Sequence, residues 1–142
     1  MTIDVLILLL AFQLKHFVAD YPMQTMYMHM GKGSKKRWFL PLLSHASVHG
    51  ALTVAILAVY FDLMCGNDSM TKYGALVIIY ASLFDVVTHF VTDRWKATRG
   101  VGPETPSFWI YPGIDQMIHH MVGILIVFYA WYACGVIRHG LN

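Results

Sequence analysis

The sequence predicts an all-α fold: four membrane-spanning helices packed as one bundle, with a polar His/Asp site in its cytoplasmic half. Three observations predict it. The 142 residues are 57% hydrophobic and 13% charged, where soluble domains average about 25% charged. Apolar residues run continuously, as in 6–12 and 75–79, instead of alternating as membrane β-strands do. The ionisable residues that interrupt these runs recur at helical spacing, and in hydrocarbon each costs several kcal/mol (roughly 2.5 or more for Asp at a span centre) unless it faces a functional interior.

Four stretches approach the ~20 residues that cross roughly 30 Å of hydrocarbon as a helix: residues 3–21, 39–61, 73–95 and 110–137. The first has no basic leader and no small-residue cleavage site before Lys15, so it is expected to stay as a span and not to be removed as a signal peptide. The second and fourth carry Pro41 and Pro112 in their first turns, where a missing N–H is tolerated. The third runs from Tyr73 into the basic segment Arg94 to Lys96. Together they make a single transmembrane domain, residues 1–142, with no internal repeat. The formal net charge of +2 gives no argument for nucleic acid.

Basic residues set the orientation. The connection between the first two spans carries Lys32, Lys35, Lys36 and Arg37 without an acid, and the one between the last two carries Arg94, Lys96 and Arg99 against Glu104. The middle connection carries Asp62 and Asp68 against Lys72. The basic connections are therefore expected inside an inner (cytoplasmic) membrane and both termini outside; Arg138 opposes this only mildly. Cys65 and Cys134 lack CxxC spacing and are poor metal ligands. Both should lie near the outer face, where a disulfide is conceivable and left open.

That topology places four pairs in one half of the bundle: His16 with Asp20, His45 with His49, His89 with Asp93, and Asp115 with His119. Asp85 lies one turn deeper than His89. Residues four apart share a helix face, so each pair can aim two polar groups at one centre, as metal-binding bundles do. His16, Asp20, His45, His49, His89, Asp93, Asp115 and His119 are the candidate ligands for one or two divalent ions, zinc, manganese or iron. Asp20, Asp93, Asp115 and Lys96 are the candidate catalytic groups; Gln24, Asp85 and Gln116 are candidates to hold a ligand or touch substrate. The competing interpretation is a hydrogen-bonded network that joins helices without metal, each contact worth about 0.6 kcal/mol. Arg94 and Lys96 can pair with an anionic group such as phosphate or merely follow the inside-positive rule. Met23, Met26, Met28 and Met30 with His29 suit flexible packing better than a copper site.

The runs HFVADYPMQ (16–24), SHASVH (44–49), DVVTHFVTDRWK (85–96) and DQMIHH (115–120) resemble domain of unknown function 3307, a family of small bacterial and phage membrane proteins. Its pattern is similar to that of inner-membrane proteins labelled metal-dependent hydrolases. The matching positions are His16, Asp20, Gln24, His45, Asp93, Lys96, Asp115, Gln116 and His119, with His49 and Asp85 outside the firm match. The expected function is a metal-dependent membrane hydrolase acting on a lipid or lipid-linked phosphate from the cytoplasmic face. The alternatives are a proton or divalent-metal transporter, and a non-enzymatic phage or bacterial protein that binds a host membrane partner and carries a structural metal. Membrane lipids, and a second copy of the chain or a host membrane protein, are the partners these readings imply.

Overall fold

The computed structural model describes residues 3–65, 72–100 and 102–139. They form α1 (Ile3–Asp20), α2 (Met26–Gly31), α3 (Phe39–Cys65), α4 (Lys72–Ala97) and α5 (Pro106–His139), with no strand among the described residues. All four predicted spans are helical, and α3, α4 and α5 are long and apolar enough to cross a membrane. The first differs. Its 18 residues include Asp4, Lys15 and Asp20, and at 1.5 Å per residue it reaches about 27 Å, just short of the hydrocarbon thickness. Asp68 of the middle connection lies outside the described residues.

Two local features depart from the sequence reading. The first connection is not a plain loop, because it contains α2. Thr25 caps this helix, its side chain accepting the Met28 N–H at 3.3 Å, as a short hydroxyl side chain does before a helical run. The second concerns α5, which begins earlier than expected. Pro106, not Pro112, takes the first-turn position, so Pro112 lies inside the helix. There its ring has no N–H to offer the carbonyl of Phe108.

The long helices pack in a ring, α1 against α3 and α5, and α4 against α3 and α5. Between the long helices, the closest approach at a glycine is that of α3 to α4. A Cβ on Gly50 would lie 2.3 Å from Cγ2 of Val86, so only a hydrogen fits. At one end the core is apolar, built from Leu8, Phe12, Leu57, Phe61, Val77 and Val127. That end is closed by a disulfide between Cys65 and Cys134, Cα atoms 5.3 Å apart, which answers the question the sequence left open. Toward the other end the buried residues become His, Asp and Lys. The outward faces remain apolar, with Leu10, Leu14, Val59, Ile79, Val91 and Leu125 exposed. Polar inside and apolar outside is the pattern of helices surrounded by lipid, not water.

Gly50→Ala should cost about 1–3 kcal/mol, because a methyl there must push Val86 and α4 away. Gly135→Ala, where a Cβ meets nothing within 4 Å, should be neutral or stabilising by up to about 1 kcal/mol. Thermal unfolding of both variants in detergent checks the contrast.

Candidate metal centre

Helical spacing delivers the side chains to the centre. His16 and Asp20 come from α1, His45 and His49 from α3, Asp85, His89 and Asp93 from α4, and Asp115 and His119 from α5. All are buried except Asp20, which is partly exposed. The four pairs do converge. Ring centroids of His49 and His89 are 3.6 Å apart, and those of His89 and His119 are 4.0 Å apart with the rings nearly parallel. His16 stands 5.3–5.6 Å from His49, His89 and His119.

Asp20 is the hub. One carboxylate oxygen faces Nε2 of His49 at 3.1 Å and Nε2 of His45 at 3.4 Å. The other faces Nε2 of His16 at 3.2 Å and the Gln116 amide at 3.5 Å. Asp93 is shared between Nε2 of His45 at 3.1 Å, Lys32 at 3.2 Å and Lys96 at 3.4 Å. Lys96 also donates to Asp115 at 2.5 Å. One layer deeper, Asp85 accepts from Lys15 and, at 2.6 Å, from the Thr53 hydroxyl. Its other oxygen and its backbone carbonyl both face Nδ1 of His89, at 3.2 and 3.0 Å. Gln24 lies over His45 at 3.3 Å and meets His29 of α2 at 3.3 Å. Gln116 places its carbonyl oxygen 3.0 Å from His16.

Against this dense bonding, several buried polar atoms of the cluster have no partner among the described residues: Nδ1 of His49, Nε2 of His89, both ring nitrogens of His119 and Oδ1 of Asp115; the Tyr60 and Ser82 hydroxyls in the apolar half are unpartnered too. A buried polar atom left unpaired costs about 1–3 kcal/mol. Three sets of residues each bring one ligand atom within 4.8 Å of the others: His16, His49 and His89; Asp20, His45 and His49; and Asp93, Asp115 and His119. The free atoms of the cluster are all of the kinds that bind divalent metals, imidazole nitrogen and carboxylate oxygen. The residues therefore fit such an ion.

Some members of the cluster were not singled out from sequence. Lys15 is 5% exposed inside the core. The signal for it was a lone cation in an apolar run, with Asp85 as its buried counter-charge. Lys32 was read only as part of a basic loop, yet it points inward to Asp93. His120 lies 5.2 Å from His16, although its position on α5 points it away from His119. Arg94, weighed as a phosphate contact, stacks on Trp38 at 4.2 Å and donates to the Lys32 carbonyl at 3.0 Å. Met26 and Met30 are exposed on α2, and His29 is engaged with Gln24.

The fold and this centre define an all-helical protein whose membrane-length helices enclose a His/Asp cluster. The chain belongs to the family described as Protein of unknown function (DUF3307), whose model matches residues 5–138. No curated protein and no solved structure matches the chain.

Asp85→Ala should destabilise the protein by about 3–5 kcal/mol, because it leaves the Lys15 ammonium buried without a counter-charge. Lys15→Met combined with Asp85→Ala should recover much of that loss. Denaturant unfolding in detergent of the single and double variants measures both.

Proposed function

We propose that this chain is a metal-dependent hydrolase of the inner membrane, a four-helix bundle acting on a lipid or lipid-linked phosphate from the cytoplasmic face. The observation that carries this reading is the set of unpartnered ligand atoms on His49, His89, Asp115 and His119, buried among carboxylates. A hydrogen-bonded network that merely joined helices would have no reason to leave them free. The orientation is supported from both ends. The connections bearing Lys35, Lys36, Arg37 and Arg99 lie at the cluster's end of the helices, and the disulfide lies at the other. Disulfides persist in oxidising compartments and basic loops stay inside. α1 completes the fourth span, with Lys15 buried and Asp20 turned to the cluster.

A bound divalent ion would polarise a phosphoryl oxygen and make water a better nucleophile near neutral pH. The chain's own residues supply the remaining roles. Asp20, with its side chain 17% exposed, is the carboxylate nearest to solvent in the cluster and accepts the proton of the attacking water. His45, His49 and His16 hold both its oxygens in place. Lys96, partly exposed beside Asp93 and Asp115, meets the anionic head. As water attacks phosphorus and the bond to the lipid oxygen breaks, Lys96 gives that oxygen its proton. The products are a lipid alcohol and phosphate. Asp93 and Asp115 lie in the set that would hold metal.

The transporter reading has less support. Past Lys15 and Asp85 the core is apolar apart from the Ser82 and Tyr60 hydroxyls, with no buried carboxylate or imidazole among the described residues. An intramembrane proton or metal relay uses such groups along its length.

Detergent-purified protein should hydrolyse at least one member of a panel of phospholipids and polyprenyl phosphates. Chelation should abolish turnover and a divalent metal should restore it. Asp20→Asn should lower kcat about 10²–10⁴-fold, while Met26→Leu on the exposed face of α2 leaves it unchanged. Absence of turnover by metal-loaded protein, with ion flux in proteoliposomes, would replace the hydrolase by a transporter.

A further inference from the structure

We infer that the centre holds two chemically unlike metal ions: a deep one bound by imidazoles alone, and a shallower one bound mainly by carboxylates. The inference rests on the metal-binding part of the proposed function and not on hydrolysis. It follows from how each ring and each carboxylate is already committed.

The deep set is His16, His49 and His89. Nδ1 of His89 faces two oxygens of Asp85, backbone and side chain, so it carries the proton and donates. Nε2 of His89 is then a lone pair, buried and without a partner. Nε2 of His49 faces Asp20, so its Nδ1 is the lone pair, again buried and unpartnered. Nε2 of His16 faces Gln116 Oε1 and Asp20 Oδ2, both acceptors, which leaves Nδ1 as its lone pair. Each imidazole thus has one nitrogen held by an oxygen and the other unprotonated. Metal-binding histidines are oriented in this way, with a carboxylate behind the ring. Asp85 is itself fixed by Thr53 and Lys15.

The shallower set is Asp93, Asp115 and His119. Asp93 and Asp115 each lie one helical turn from His89 and His119, toward the basic end. Oδ1 of Asp115 and both nitrogens of His119 have no partner, although Asp115 is fully buried and His119 only 4% exposed. The third set, Asp20, His45 and His49, is closed upon itself. Nε2 of His45 donates to Asp20 and Asp93, its Nδ1 takes the Gln24 amide, and Nε2 of His49 donates to Asp20. Asp20 and His45 therefore lie between the two sites and ligate neither ion. The stacked rings of His89 and His119 form the wall the sites share.

Ligand type separates the two ions. Imidazoles suit zinc and its late neighbours, whereas carboxylates suit manganese and magnesium. The test uses full-length protein in detergent, stripped by chelator, given about one equivalent of zinc and then titrated with Mn²⁺. Zinc is kept limiting because it outcompetes manganese at most sites. Zinc retained after desalting is counted by elemental analysis, and bound Mn²⁺ by loss of its free electron-spin-resonance signal. The expected result is zinc retained and manganese bound in addition. His89→Ala should lose the zinc and keep manganese binding; Asp115→Asn should do the reverse. Asp85→Asn combined with Lys15→Met, which removes the buried charge together with its counter-charge, should weaken zinc by about 10–100-fold and leave manganese unmoved; it carries the test if His89→Ala misfolds. Manganese excluded by the first equivalent of zinc, or both metals lost together from a variant of unchanged helix content, would overturn the inference. Unlike ions in a protein that turns over no lipid phosphate would uphold it while removing the hydrolase. Turnover with a single kind of site would do the opposite.

Discussion

The carboxylate of Asp20 is the contact on which the arrangement turns. It ends α1, yet its two oxygens meet side chains of α1, α3 and α5. A carboxylate in a low-dielectric interior is tolerable only when donors hydrogen-bond to it. Four groups on three helices do that here, so the depth and rotation of α1 are set by Asp20 as much as by the apolar packing of Leu8 and Phe12. Asp85 performs the corresponding task one layer deeper, where Lys15, Thr53 and His89 join α1, α3 and α4. Two carboxylates therefore register the helices at the polar end, and the Cys65–Cys134 bond registers α3 and α5 at the other.

The two ends differ in how tightly they specify structure. Apolar side chains at the disulfide end tolerate exchange for others of similar volume. The polar end tolerates little, because most donors there have a named acceptor. The unpartnered atoms stand out for that reason. In a network that otherwise satisfies itself across four helices, free nitrogens on His49, His89 and His119 and a free oxygen on Asp115 share one local environment. A divalent ion is the simplest group that answers imidazole and carboxylate at once.

Much of this was legible in the sequence. Spacing of four marks residues on one helix face, so His16 with Asp20 and His89 with Asp93 announced themselves as pairs, and antiparallel connection brought the pairs to one end. The place of Asp85 one turn deeper than His89 followed from the same spacing. What spacing does not encode is which partner a side chain takes from another helix. Lys15 and Lys32 looked like an interruption and a loop charge because their partners, Asp85 and Asp93, are 70 and 61 residues away in the chain. The closed triad around His45 depends on Gln24 folding back from the start of α2, and nothing local to 45–49 signals that. The early start of α5 was masked by an apolar pattern that reads equally well from Ile110, with Pro112 mistaken for the first-turn proline.

Everything proposed for the His/Asp cluster depends on its holding metal. Elemental analysis of protein purified in detergent without added metal, followed by X-ray absorption at the edge of whichever metal is found, tests it most directly. The expected result is about one to two equivalents of a divalent metal in a shell of nitrogen and oxygen with no sulfur. Protein that is free of metal, fully helical and unchanged in thermal stability when zinc or manganese is added would contradict it.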